Sequence, residues 1–154
     1  VTDFTGLSIE GRIATPDDAD WDEARLAWNL AADLHPSAVA LVESAEDVAK
    51  TVRFAAENGL RVSGQGTGHG AAPLGSLKDA ILIKTGKLRG IEVDADRQVA
   101  RVEAGALSIE LGEAANAHGL VGMPGSSPDV GVVGYTLGGG LSWFARAHGF
   151  ACNR

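Results

Sequence analysis

A single cysteine, Cys152, stands in the 154 residues, which excludes an internal disulfide and a metal cluster built on cysteines. No apolar run approaches the length of a membrane span. The N-terminal Val1-Thr2-Asp3-Phe4 has neither the basic region nor the apolar core of a signal sequence. With the lone cysteine, this points to a cytoplasmic location. Positive charge is scarce: 13 Lys and Arg face 20 Asp and Glu, for a net charge of −7. That balance argues against nucleic acid or an anionic membrane as the main partner. There is no internal repeat and no low-complexity tract. What remains, 45% hydrophobic and 21% charged residues, suits one globular domain with a real core.

Residues 1–15 show no clear period and read as a flexible arm. Asp17–Leu34 reads as a helix, with Trp21, Ala24, Arg25 and Trp28 at helical spacing and both tryptophans assigned to the core. His35-Pro36 should end it, and His35 is a boundary residue without chemistry. Ala38–Val42 is a continuous apolar run, suited to a strand covered on both faces. Ser44 then caps a helix, with Asp47 completing a short capping box and Val48, Val52, Ala55 and Ala56 as its apolar stripe. Asn58-Gly59 closes that helix, and Leu60–Ser63 is the next strand. The unit should be parallel with a right-handed crossover.

Ala80–Lys84 is a further strand. Gly90–Asp94 and Gln98–Glu103 form a hairpin around Asp94-Ala95-Asp96-Arg97, its carboxylates serving turn and solvated face. Leu107–His118 is an amphipathic helix with Leu107, Leu111, Ala114 and Ala115 inward, closed by Gly119. His118 complements the helix dipole. Leu141–Ala147 reads as a last helix, with Trp143 and Phe144 packed.

Two glycine-rich segments carry the functional signal. The first is Ser63-Gly64-Gln65-Gly66-Thr67-Gly68-His69-Gly70, directly after an apolar stretch. Its glycines let the backbone approach a phosphate and turn N–H groups toward it. No lysine follows, so it is not a Walker loop. Gly66 to Ala71 fits a relaxed dinucleotide fingerprint, but Pro73 and Gly75 leave no room for the helix that fingerprint needs before the strand at Ala80. A glycine loop between two strands, bearing a nucleophilic histidine, remains, with a mobile surface turn as the alternative. The second segment runs from Pro124 to Leu141. Gly138, Gly139 and Gly140 would each cost roughly 1 kcal/mol relative to alanine inside a helix. They point to a backbone pressed on something flat or charged, or to a helix start packed tightly on a strand.

The ordered set of Gly64 to His69, Gly119-Leu120, Pro124-Gly125, Gly131 to Gly134, Leu137 to Leu141, and His148-Gly149-Phe150-Ala151-Cys152-Asn153 resembles the FAD-linked oxidases. The match is to the FAD-binding (PCMH-type) domain of the vanillyl-alcohol oxidase / p-cresol methylhydroxylase superfamily, berberine-bridge-enzyme-like branch. The resemblance implies an α+β fold. A small parallel β-α-β subdomain is followed by a mixed or antiparallel sheet subdomain with flanking helices. Residues 1–35 would be an N-terminal arm and helix, and 36–154 the FAD-binding domain, truncated at its C-terminal end where relatives enter another strand.

The resemblance also assigns residues. Ser63, Gly64, Gln65, Gly66, Thr67, Gly68, His69 and Gly70 would wrap the FAD pyrophosphate. The His69 ring would bond to the flavin 8α carbon, raising its potential and preventing its loss. Gly125, Ser126, Ser127, Asp129, Val130, Gly131, Gly134, Tyr135, Leu137, Gly138, Gly139 and Gly140 would complete the cofactor contacts. Ser127 stands where part of the family has a cysteine bonded to flavin C6, and a hydroxyl is a poor replacement for a thiolate. Attachment through His69 alone is therefore expected, with no cysteinyl bond. Cys152 lies elsewhere and reads as a small buried apolar residue.

Val130 holds a position that gates oxygen in the family, and a side chain of its size is compatible with oxidase behaviour. Asn153 stands where many relatives have aspartate. The intact protein would move a hydride from a small organic substrate to the flavin and electrons on to O2, giving hydrogen peroxide. Its catalytic base would lie beyond this segment, and no metal is needed. A non-catalytic nucleotide-binding fragment and a dehydrogenase of the same superfamily are the alternatives. An interrupted domain would also expose apolar strands, favouring self-association.

Overall fold

The computed structural model describes residues 2–153. Val1 and Arg154, the outer ends of the expected arm and of the expected FAD-binding span, lie outside the described residues. The chain divides into two compact units, one ending at Lys87 and the other starting at Leu88.

The first unit is built on a four-stranded sheet. Its strands are β1 (Arg12–Ala14), β2 (Ala38–Leu41), β3 (Arg61–Gln65) and β4 (Ala80–Lys84), in the order β1-β2-β4-β3. β2 and β3 both run parallel to β4, and β1 pairs antiparallel with β2. The β2-helix-β3 unit is thus parallel, as expected, but β4 lies between its two strands. Continuous apolar strands need cover on both faces. Val39 and Leu82 pack with Ala24, Ala27, Leu34, Ala71 and Leu77 on one side. Helix α2 (Ala45–Glu57) packs against β3 and β4.

Helix α2 begins as its sequence dictates, with the Ser44 hydroxyl accepting from the Asp47 N–H at 3.1 Å. The Asp47 carboxylate does not complete the expected capping box. It accepts instead from the N–H groups of Glu43 (2.9 Å), Glu10 (2.8 Å) and Gly11 (3.0 Å). Burial opposes its charge, but these three donors outweigh the penalty and hold its pKa below the usual value. The buried stripe is consequently Asp47, Thr51 and Ala55, whereas Val52 is exposed. The arm is also more ordered than its sequence suggested. Arg12–Ala14 form β1, and Asp47 fastens the two residues before it.

The expected helix over Asp17–Leu34 is shortened to α1 (Trp21–Arg25). The chain leaves the helix because tertiary partners claim its polar groups. The Leu26 carbonyl accepts from Gln65 Nε2 at 3.0 Å and from Lys84 Nζ at 2.5 Å. The Trp28 N–H donates to the Thr67 carbonyl at 3.0 Å. Arg25 bridges Asp22, Asp33 and the Leu34 carbonyl.

The second unit contains a two-stranded antiparallel hairpin, β5 (Ile91–Asp94) and β6 (Val99–Val102), followed by α3 (Ser108–Asn116), α4 (Val132–Leu137) and α5 (Ala145–His148). The hairpin carboxylates Glu92, Asp94 and Glu103 are exposed, in keeping with solvated roles. Glu110 accepts from the Leu107 N–H at 2.8 Å and secures the start of α3. The last helix is shorter than expected, because Ser142 initiates a separate turn. Its hydroxyl accepts from the Phe144 N–H at 3.2 Å and its carbonyl from the Ala145 N–H at 3.0 Å. Trp143 and Phe144 are exposed instead of packed, and so is Cys152, which was expected to be buried.

Candidate functional site

The Ser63–Gly70 segment leaves the C-terminal end of β3, beside the C-terminal end of β4. Open sheets with parallel strands bind ligands at this edge. Gln65 ends the strand and is buried. Its carbonyl accepts from the Thr85 N–H at 3.0 Å, while its Nε2 reaches Leu26. Its Oε1 is a buried acceptor without a hydrogen-bond partner among the described residues, the condition of a group that takes a donor from outside the protein. Burial lowers the pKa of Lys84, whose ammonium lies on the same Leu26 carbonyl.

The glycines of the loop divide by what surrounds them. A Cβ at Gly68 would lie 2.8 Å from Ala27 Cβ and 3.0 Å from Gln65 Nε2, and its φ is +91°. Gly68 therefore answers to packing and to a left-handed backbone. At Gly64 and Gly70, by contrast, a Cβ would have no neighbouring atom within 4 Å. There the backbone is open to close approach by a ligand.

His69 is held from two directions. Thr67 Oγ1 lies 2.8 Å from its Nδ1. The Trp28 indole stacks on its imidazole, with centroids 3.9 Å apart and planes 16° from parallel. Trp28 is 57% exposed, so the sequence-based assignment of this residue to the core is corrected. Its sequence signal, helical spacing from Trp21, was real but pointed to the wrong partner. Trp21 does pack on the core.

In the second unit, the segment 128–132 is fastened to the start of α3. Ser108 and Ile109 donate their N–H groups to Val130 and Pro128, each at 2.9 Å, and Val132 donates to Ala106 at 3.0 Å. Ser127 hydrogen-bonds the Asp129 carboxylate. Gly131 precedes α4 and Gly138 ends it, so the triple glycine terminates a helix and does not lie within one. The flat object against Gly140 is Tyr135. A Cβ at Gly140 would lie 2.9 Å from that ring and 2.6 Å from Ala151 Cβ, where φ is +68°. A Cβ at Gly125 would lie 2.9 Å from the other edge of the same ring. Burial pushes the Tyr135 phenol up, opposed by the Ser142 hydroxyl. An apolar cavity of about 700 Å³, lined by Val99, Leu111, Val132, Tyr135 and Leu137 among others, opens in this unit. Gly134 and Gly139 are free of close neighbours at the Cβ position, whereas Ser126, Leu137 and Gly138 are exposed.

Among the described residues, no group of three His, Cys, Asp or Glu side chains is placed to hold a metal ion. His35 and His118 are exposed, and the former pairs with Asp33 at 3.0 Å.

A glycine loop with a clamped histidine and open glycine positions thus leaves the C-terminal ends of the parallel strands, where a nucleotide cofactor could be held. Comparison with known proteins makes this specific. The family model for an FAD binding domain matches residues 36–154. (R)-6-hydroxynicotine oxidase of Paenarthrobacter nicotinovorans is 33% identical over 147 residues, covering 96% of this chain and 32% of that protein. The crystal structure of 6-hydroxy-D-nicotine oxidase from Arthrobacter nicotinovorans superimposes with a TM-score of 0.84 at 34% identity, over 96% of this chain and 32% of the other. Glucooligosaccharide oxidase from Acremonium strictum, described with a 6-S-cysteinyl, 8α-N1-histidyl FAD, gives 0.74 at 30% identity, over 93% and 30%.

The chain belongs to the FAD-linked oxidases of the berberine-bridge-enzyme-like branch, and its fold is the mixed α/β, PCMH-type FAD-binding fold. It spans about a third of the length of the curated relatives it matches.

Proposed function

We infer that this chain is the FAD-binding portion of an oxidase in which His69 carries the flavin covalently. Residues 36–154 form the binding domain, preceded by the segment that carries β1 and α1. The supporting observation is the His69 loop, with its open backbone at Gly64 and Gly70, its orphaned Gln65 Oε1 and a histidine fixed in place. The residues fit the cofactor. Ser63 to Gly70 hold the pyrophosphate through backbone N–H groups. Gly125, Ser126, Ser127, Asp129, Val130, Gly131, Gly134, Tyr135, Leu137, Gly138, Gly139 and Gly140 supply further contacts. Bound FAD supplies the acceptor for a hydride from a small alcohol, amine, sugar or alkaloid-like substrate, with dioxygen reduced to hydrogen peroxide.

With FAD bound, the His69 ring nitrogen would supply the lone pair for a bond to the 8α carbon and would give up its proton, with dioxygen as the two-electron, two-proton acceptor. Ser127, engaged by Asp129, offers no thiolate for a second bond. Val130 leaves room for oxygen. We place the protein in the cytoplasm, with FAD, substrate and O2 as partners and a tendency to self-associate through exposed apolar side chains.

Stopped-flow reoxidation of the substrate-reduced intact protein tests the oxidase assignment. Rapid reoxidation in air is expected, slowed at least about tenfold in Val130→Leu if this side chain gates access. Slow reoxidation of the unaltered protein, with fast turnover on an artificial acceptor, would assign it to the dehydrogenases.

A further inference from the structure

We propose that Trp28 is a positioning residue that sets the orientation of the His69 ring, a role that rests on His69 being the flavin-bearing residue. Trp28 touches the loop at two points. Its backbone N–H donates to the Thr67 carbonyl at 3.0 Å, and its indole lies face to face on the His69 imidazole with centroids 3.9 Å apart. Thr67 closes the triangle, since its own hydroxyl meets His69 Nδ1 at 2.8 Å. The three groups leave the imidazole neither a free rotation about its bond to Cβ nor a free swing away from the loop.

The segment that carries Trp28 is itself anchored. The Leu26 carbonyl accepts from Gln65 and Lys84, at the ends of β3 and β4. Ala27 is 3% exposed and fills the space that a side chain at Gly68 would need. Core packing alone does not explain Trp28. With more than half its surface open, the indole is not a core side chain, yet its plane lies within 16° of the imidazole. Bond formation at the ring requires one nitrogen to be aimed at a single carbon, and a misplacement of about 1 Å in such an arrangement can slow a reaction by about 10²-fold. An imidazole without the indole plate would sample orientations that miss the carbon.

The test uses Trp28→Leu, Trp28→Phe and Thr67→Val, each checked for retained folding by circular dichroism. Two readouts are taken. The first is the NMR shift of the His69 ring protons without flavin, where a stacked indole imposes an upfield displacement. The second is the rate at which FAD added to flavin-free protein becomes acid-stable. In Trp28→Leu the displacement should vanish and attachment should slow by about 10²-fold. Trp28→Phe, which keeps an aromatic plate, should recover most of the rate. Thr67→Val should slow attachment while retaining the upfield displacement.

His69 signals unchanged in Trp28→Leu would overturn the proposal. So would an unchanged attachment rate in that variant while the parent protein attaches flavin normally. A parent protein that attaches no flavin, but whose His69 signals move in Trp28→Leu, would remove the covalent assignment and uphold Trp28 as the residue that orients the ring.

Discussion

A carboxylate gives the clearest residue-scale prediction, and it lies away from the cofactor loop. Asp47 is fully buried and its two oxygens accept from three backbone N–H groups. Asp47→Asn would turn an amide N–H₂ toward at least one of those donors and should destabilise the first unit by about 2 kcal/mol, measured by urea unfolding at neutral pH. The same group fixes a pH response. Its folded pKa is depressed, so its contribution is fully present above the ordinary carboxylate value of about 3.9 and is lost as pH falls through the folded value. The urea midpoint should therefore drop in acid more steeply for the parent protein than for Asp47→Asn. Parallel pH curves for the two would contradict this role of Asp47. Near the cofactor loop, Trp28 shows how one residue changes meaning. At helical spacing it reads as core, and only the fold reveals that its flat face is applied to His69.

Among the elements, the glycines separate packing from ligand approach. Gly68→Ala meets Ala27 at 2.8 Å with a positive φ, so it should cost about 2 kcal/mol and disturb the loop. Gly140→Ala, with Ala151 at 2.6 Å and Tyr135 at 2.9 Å, should destabilise the second unit comparably. Gly64→Ala and Gly70→Ala have open space and should stay within about 0.5 kcal/mol of the parent. If the loop binds FAD, however, these two should weaken retention of the cofactor. Thermal unfolding and flavin fluorescence on the same four variants would show the split, and a uniform loss of stability would contradict it.

Elements with strong local signals were legible in the sequence. β2 is an unbroken apolar run, β4 is one up to its closing Lys84, and α2 carries both its Ser44 cap and its Asn58-Gly59 end. The position of the histidine loop between two strands was legible too. β1 was not, because Arg12-Ile13-Ala14 is too short to show a period and becomes a strand by pairing with β2. The helix expected over 17–34 fails for a related reason. Its periodicity is genuine, but side chains from β3 and β4 take the Leu26 carbonyl and the loop takes the Trp28 N–H. Long-range hydrogen bonds of this kind leave no mark on local spacing. The partner of the triple glycine was equally hidden, since Tyr135 and Gly140 meet only after α4 has ended.

At the scale of the whole molecule, the second unit leaves large apolar side chains open to solvent. Leu137, Leu141 and Trp143 are 83%, 72% and 75% exposed. Exposed apolar surface of this kind favours association. Sedimentation velocity should show a concentration-dependent increase in mass, reduced in the double variant Leu137→Asn, Trp143→Ser. A monomer at every concentration would rule this out. The central claim, that the loop at the C-terminal ends of the parallel strands binds FAD through His69, has a more direct test. Flavin-free protein is incubated with FAD, acid-precipitated, and examined by intact mass and visible absorbance. The prediction is a mass increase of one FAD and a yellow pellet, both lost in His69→Ala. A folded protein that gives a colourless pellet at its unmodified mass would contradict covalent attachment at His69.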